Sequence, residues 1–151
     1  MFLPIAISLG IIALTILIHG LGTTYMVVYL YRRNQKTKIE RGIQNAMFIL
    51  SFTAIYLMIL HFLEITLWAI VYLLIPEIKQ VSGMEEAIYF SMVTYATLGY
   101  GDIVLGPHWR IMSGFEAMNG ILLFGWSTAM FFSTVQKILS QLKDKMIIRN
   151  D

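Results

Sequence analysis

The sequence contains no cysteine and little charge, since only 13% of its 151 residues are Asp, Glu, Lys or Arg. Without cysteine, the chain can form no disulfide, thiolate metal site or cysteine nucleophile. Its basic residues lie at the ends of apolar segments, so we expect no binding of nucleic acid. No segment repeats Arg at every third position, which excludes an arginine-rich voltage sensor.

The acidic and histidine residues also lack a catalytic pattern. Glu64, Glu116 and the three histidines show neither the spacing of a metal-ligand set nor that of a catalytic triad. We therefore predict that the chain is not an enzyme and uses no cofactor.

Long apolar segments dominate what the sequence does contain. Hydrophobic residues make up 58% of it and the mean hydropathy is +0.71, which is typical of a multi-pass membrane protein. Residues 4–31, 43–75 and 109–141 are long enough to predict transmembrane helices. The first segment would extend about 42 Å as a helix, against a hydrocarbon core of about 30 Å. A cleaved signal peptide is disfavoured there, because no basic residues precede the apolar run.

Basic residues are concentrated in the link between the first two apolar segments. By the positive-inside rule this link is cytoplasmic, which places the N-terminus outside and the C-terminus in the cytoplasm. We therefore predict a multi-pass protein of the cell (plasma or inner) membrane. The same link could bind anionic lipid, although topology alone explains its charge. The basic residues concerned are Arg32, Arg33, Lys36, Lys38 and Arg41.

The region between the second and third apolar segments combines a short helix with a glycine-containing loop. Ser82 followed by Glu85 predicts a capping box and a helix over residues 83–96, which at about 21 Å is too short to span the bilayer. The loop at 97–102 has the sequence Thr-Leu-Gly-Tyr-Gly-Asp. Gly99 and Gly101 allow φ values closed to other residues, so alternating backbone senses can turn successive carbonyls toward one axis. Such oxygens can replace the hydration shell of a small cation. The alternative is a plain glycine-rich turn.

The stretch Thr97-Leu98-Gly99-Tyr100-Gly101 resembles the selectivity filter of tetrameric potassium channels, with Leu98 where valine is commonest. The resemblance covers roughly residues 43–141. It implies an all-α membrane protein with three transmembrane helices, a re-entrant pore helix and a selectivity-filter loop in a homotetrameric pore. It divides the chain into an accessory helix with a basic cytoplasmic loop (1–42), a pore module (43–141) and a short cytoplasmic tail (142–151). The pore module would comprise an outer helix (43–75), a pore helix (83–96), a filter (97–102) and an inner helix (109–141).

The resemblance also implies a role for each filter residue. The Thr97 hydroxyl would add to the carbonyls at the innermost potassium site, and Asp102 would place acidic charge at the outer mouth. Gly101 would complete the outermost site. The implied ion-binding residues are Thr97, Leu98, Gly99, Tyr100 and Gly101.

Two residues of the implied pore helix are candidates for supporting the filter. Tyr89 stands where the family often has Trp and could donate a hydrogen bond to Asp102. Thr94 could exchange a hydrogen bond with the Tyr100 hydroxyl. Val93 stands where some family members carry an acid, so Asp102 lacks that carboxyl partner.

The implied inner helix carries a candidate hinge and a candidate gate. Gly120 falls at the family's gating-hinge position, and close packing against the pore helix is the alternative interpretation. Phe124, Thr128 and Phe132 recur at helical spacing and share a face. We expect this face to line the cavity below the filter, with Phe132 narrowing the inner mouth as a hydrophobic gate.

Several polar residues lie inside the apolar segments, and five of them have expected roles. His61 and Glu64 are three apart on one helix face, so they can meet either as a structural pair or as a proton sensor. We expect His19 to be a satisfied interior histidine. Glu116 and Asn119 are expected to form hydrogen bonds behind the filter.

The function implied by the resemblance is passive, potassium-selective permeation. A transporter subunit with related pore loops is disfavoured, because such proteins join four loops in one chain and usually keep a single filter glycine. A non-conducting membrane scaffold or regulatory subunit of another channel stays open as an alternative. A less selective cation channel is the second alternative function that stays open.

Overall fold

The computed structural model describes residues 2–36 and 42–148, and the regular elements in these ranges are all α-helices. Three helices have the length and apolar composition to cross a membrane: α1 (Phe2–Lys36), α2 (Gly42–Leu74) and α4 (Ile111–Ile148). The short helix α3 (Met84–Tyr95) lies between α2 and α4 in the chain. The all-α architecture with three candidate membrane spans is thereby confirmed.

The ends of α2 and α4 follow local turn chemistry. Helix α2 ends at Leu74, two residues before Pro76, which disfavours helical backbone in the residue before it. The amides of Trp109 and Arg110 both donate to the Gly106 carbonyl (2.9 and 3.0 Å), so a turn occupies the start predicted for the inner helix. Helix α4 begins only at Ile111 and continues through residues 142–148 of the predicted tail. Residues 149–151 lie outside the described ranges.

The capping box predicted for α3 is wrong by one residue. Gly83 is the N-cap, with extended backbone (φ −155°, ψ 169°), so Glu86 rather than Glu85 occupies the third helical position. The Glu86 carboxylate accepts hydrogen bonds from the Ser82 amide (2.8 Å) and hydroxyl (2.7 Å). These two bonds lower the pKa of Glu86 below its usual range. Both glutamates lie in the first turn, where the helix dipole favours negative charge.

The apolar core lies where α2, α3 and α4 meet. It holds α3 between the two long helices and buries the aromatic ring at the last residue of α3. Its completely buried side chains are those of Trp68, Ala69, Tyr72, Ala87, Tyr95, Met112 and Leu123.

Helix α1 packs on α2 and α4 through a stripe that is largely polar. The buried residues of this stripe recur every three or four positions, and four of them carry a hydroxyl or an imidazole. Small and hydrogen-bonding residues hold helices together in lipid, where no hydrophobic effect drives their association. The stripe therefore brings one imidazole into the centre of the bundle. Its members are Ser8, Ile11, Thr15, His19, Thr23 and Met26.

Candidate ion-conduction site and the polar cluster beside it

The loop after α3 has a backbone that alternates between two senses. Thr97, Gly99 and Gly101 have positive φ values of 60°, 53° and 81°, and they are the only such residues in the described ranges. A positive φ at every second residue is the backbone geometry that turns successive carbonyls toward one axis. The two glycines were predicted to supply this freedom. The positive φ of Thr97 was not predicted, because it is uncommon for a β-branched residue.

Hydrogen bonds fold the loop back onto the end of α3. The amide of Thr97 donates to the Thr94 carbonyl (2.9 Å), and those of Leu98 and Gly99 donate to the Val93 carbonyl (2.9 and 3.3 Å). Within the described residues, no backbone amide donates to the carbonyls of residues 97–101. The first three amides of this loop are thus occupied, while its carbonyls remain available to a cation.

One of the two predicted filter-supporting contacts is formed. The Tyr89 hydroxyl donates to the Asp102 carboxylate at 2.6 Å. This bond is the main reason why the pKa of Asp102 lies below its usual range, and it raises the pKa of Tyr89. The Tyr100 side chain is 68% exposed and, within the described part of the chain, makes no hydrogen bond to Thr94. The roles assigned to these residues in conduction stay predictions.

Helix α4 packs tightly against the end of α3 at Gly120. A Cβ added there would lie 2.0 Å from the Tyr95 carbonyl oxygen and 2.9 Å from the carbonyl carbon. The structure therefore shows the close packing that was one of the two interpretations of Gly120, and its role as a hinge stays a prediction.

The three candidate cavity residues of α4 do not share one environment. Thr128 and Phe132 are exposed on the single chain, and the Thr128 hydroxyl donates to the carbonyl one turn earlier (2.8 Å). The Phe124 ring instead packs on His61 (centroids 4.5 Å apart) and on Tyr95 (5.3 Å). Phe124 thus covers a buried polar cluster, which leaves Thr128 and Phe132 as the exposed members of the set.

Both polar residues predicted to form hydrogen bonds on α4 do so, and their placement behind a filter stays a prediction. Glu116 on α4 accepts a hydrogen bond from the Tyr72 hydroxyl (2.6 Å) and another from the Ser91 hydroxyl of α3. Asn119 donates to the Thr15 hydroxyl of α1 (2.9 Å). Glu116 therefore ties α3 to both neighbouring long helices.

A second buried carboxylate, Glu64, collects donors from three helices. Its two oxygens lie 2.8 Å from Nδ1 of His19 and 3.2 Å from Nδ1 of His61, and the Tyr95 hydroxyl donates to it at 2.6 Å. The predicted meeting of His61 and Glu64 is formed, whereas the participation of His19 was missed. His19, His61 and Glu64 each place one ligand atom within 4.8 Å of the others, a proximity that their spacing in the sequence does not reveal. Proton sensing by His61 and Glu64 stays a prediction.

A signal for His19 was present in the sequence. Thr15, His19 and Thr23 recur every four residues in an otherwise apolar helix, and such a polar stripe marks the face that packs on other helices. Combined with the intramembrane Glu64, it predicts a buried acid–imidazole contact.

The basic residues near the end of α1 differ in exposure. Arg32 is exposed, whereas the Arg33 guanidinium lies 3.7 Å from the centre of the Phe48 ring. Lys36 ends α1, and Lys38 and Arg41 lie outside the described residues. Binding of anionic lipid by these residues stays a prediction.

Comparison with known proteins assigns the class of this protein. A family model described as an ion channel matches residues 45–137, more than half of the chain, and the protein therefore belongs to this ion-channel family. The family is of the tetrameric potassium-channel type. The matched segment starts after α1, so His19 lies outside it. Neither the curated proteins nor the solved structures compared with the chain include a match.

Proposed function

We propose that this protein is a potassium-selective channel through which the ion moves passively down its electrochemical gradient. The observation that carries the proposal is the loop at residues 97–101, where φ alternates in sign and the amides of residues 97–99 are bonded to α3. Its free carbonyls can take the place of water around a dehydrated potassium ion. In this proposal Asp102, held by Tyr89, keeps a negative charge at the outer mouth.

One chain supplies only one strand of such a filter, so we propose a homotetramer with four-fold symmetry. Leu98, Tyr100 and Phe132 are more than half exposed on the single chain, and four copies would cover these apolar surfaces. Helix α3 is then the pore helix, and its C-terminal end would direct partial negative charge toward the ion. The proposed topology has the N-terminus outside and the C-terminus in the cytoplasm, because most basic residues would then lie inside.

Two alternatives would share this fold. A less selective cation channel would pass sodium as well as potassium. A non-conducting regulatory subunit of another channel would assemble without passing ions. The complete alternation at residues 97, 99 and 101 favours a working filter over the non-conducting subunit, because an inactive loop has no need of the strained backbone at Thr97.

The test is ion flux through liposomes that contain only this chain, with potassium and sodium compared under bi-ionic conditions. We expect a potassium permeability far above that of sodium. The Gly99→Ala variant should lose flux, because the backbone there has a φ of 53°, and the control Gly10→Ala should retain it, because Gly10 has open space around it on α1.

Each outcome separates one candidate. Equal permeability to sodium and potassium would overturn the potassium selectivity. A cross-linked tetramer without flux would favour the regulatory subunit, and a protein that stays monomeric in the membrane would overturn the pore.

A further inference from the structure

Glu64, His19 and His61 form a closed cluster with Ser127, deep among the four helices. The Nδ1 atoms of both imidazoles face the Glu64 carboxylate, at 2.8 and 3.2 Å. The Nε2 atoms of both face the Ser127 hydroxyl oxygen, at 3.2 Å from His19 and 2.9 Å from His61. His19, His61 and Glu64 are each no more than 4% exposed, so their polar atoms depend on partners inside the protein.

The hydrogen bonds of this cluster do not balance when Glu64 is ionised and both imidazoles are neutral. If both carry hydrogen on Nδ1, the single hydrogen of the Ser127 hydroxyl has to serve two Nε2 lone pairs. If either carries its hydrogen on Nε2 instead, its Nδ1 lone pair faces a carboxylate oxygen with no hydrogen between them. The Tyr95 hydroxyl lies 3.4 Å from Nδ1 of His61, but it already donates its one hydrogen to Glu64 at 2.6 Å. Every assignment therefore leaves at least one buried acceptor without a hydrogen of its own, which is costly in a low-dielectric interior. One additional cation would balance the cluster.

A metal ion between the Nδ1 atoms and Glu64 removes this mismatch. Each imidazole then carries its hydrogen on Nε2, and the two lone pairs of the Ser127 oxygen accept both hydrogens. Metal-bound histidines usually donate their second N–H to such an outer oxygen, which fixes the ring orientation.

The distances also fit a metal site. Ligands about 2.0–2.1 Å from a tetrahedral zinc ion lie about 3.4 Å from one another. Nδ1 of His19 lies 2.8 Å from one Glu64 oxygen and Nδ1 of His61 lies 3.2 Å from the other, so each imidazole would move slightly away from the carboxylate to admit the ion. The ligand atoms of the three residues lie within 4.8 Å of one another, and the Tyr95 hydroxyl, 3.4 Å from Nδ1 of His61, provides a fourth oxygen. We propose that His19, His61 and Glu64 bind one divalent transition-metal cation of the Zn²⁺ class, with the Tyr95 oxygen as the fourth neighbour.

Such a site would join parts of the chain that are otherwise only packed together. His19 belongs to α1, His61 and Glu64 belong to α2, and Tyr95 is the last residue of α3, two positions before Thr97. The bound cation would fasten the accessory helix to the base of the loop at residues 97–101. Because all the ligand positions come from the protein, the site is structural and not catalytic.

The test measures metal bound by the full-length protein and does not depend on ion conduction. The protein is produced in medium supplemented with Zn²⁺, and separately stripped by chelator and titrated with Co²⁺, so that slow entry into a buried site cannot hide binding. We expect about one metal per chain and the visible absorption of tetrahedral cobalt. Glu64→Gln should lower the affinity by more than 100-fold, and Ser127→Ala, which removes only the outer oxygen, by about 10- to 100-fold.

Two further variants protect the test from a folding artefact. His108→Gln removes the third histidine, which is exposed and outside the cluster, and it should bind metal as wild type does. His19→Cys keeps a metal ligand and should add a thiolate-to-cobalt charge-transfer band, which is unambiguous because the chain has no other cysteine.

Three results would overturn the proposal. One is no bound metal by either loading route. A second is equal binding by wild type and Glu64→Gln. A third is wild-type cobalt binding with no charge-transfer band in His19→Cys. The additional cation of the cluster would then be a proton, and the potassium flux proposed above would be unaffected.

Discussion

The contact between Gly120 and the end of α3 leads to a quantitative prediction for Gly120→Ala. The new methyl group would lie 2.0 Å from the Tyr95 carbonyl oxygen, where real side chains essentially never come closer than 3.0 Å. The two helices would therefore have to separate by about 1 Å, and overpacking of this kind costs about 1–3 kcal/mol. We expect the upper end of that range, because the obstructing atom belongs to the backbone and cannot rotate away.

A compensating term reduces the net effect. Alanine is better than glycine inside a helix by about 1 kcal/mol, so the net destabilisation should be about 2 kcal/mol. For a chain of this size that corresponds to a fall in Tm of about 4–8 °C. Ion flux should fall as well, because the displaced Tyr95 carbonyl lies two residues before Thr97 in the loop.

The assay is thermal unfolding of purified Gly120→Ala in detergent, with potassium flux measured on the same preparation. Gly114→Ala is the matched control on α4, since a Cβ there meets nothing within 4 Å of the same chain. A wild-type Tm in Gly120→Ala would refute the packing argument. A wild-type Tm with reduced flux would favour the hinge role instead.

Three smaller perturbations test other contacts. Tyr89→Phe removes the main cause of the low pKa of Asp102, so that pKa should rise and any block by external acid should move to higher pH. Conduction should also decay faster during prolonged opening. Unchanged decay in voltage-clamped bilayers would count against this role. Glu86→Gln should lower Tm at pH 7, where the ionised carboxylate accepts hydrogen bonds from Ser82. The difference in Tm from wild type should vanish as pH falls through the depressed pKa of Glu86. A Tm difference that persists at low pH would contradict this prediction. Gly22→Ala would place its methyl group 2.9 Å from the flexible side chain of Leu60, so it should change the free energy of unfolding by less than about 1 kcal/mol, read from the shift in Tm. A loss of stability as large as that of Gly120→Ala would show that side-chain flexibility is not the deciding factor.

The features that the sequence predicted correctly depend on neighbouring residues. The positive φ values at residues 99 and 101 follow from glycines two positions apart, and the three spans follow from continuous apolar segments. The start of α3 was misplaced by one residue, because Glu85 and Glu86 are both able to reach back and only the conformation of Gly83 decides between them.

The features that the sequence missed depend on how whole helices are rotated. His19 meets Glu64 across 45 residues of sequence and Ser127 across 108, and no local pattern fixes which faces of three helices meet. The same limit applies to Phe124. Helical spacing predicted that Phe124 shares a face of α4 with Thr128. Its ring instead packs on the rings of His61 and Tyr95, which belong to α2 and α3.

The polar stripe of α1 has a consequence for biogenesis. Thr15 and His19 find partners on α4, 104 and 108 residues further along the chain, so those bonds can close only after the last span has entered the bilayer. Until then Nε2 of His19 lacks its contact with Ser127, and hydrocarbon offers no replacement for it. A nascent chain stalled before α4 should therefore keep α1 beside the insertion machinery, and release of α1 into lipid should coincide with the arrival of α4.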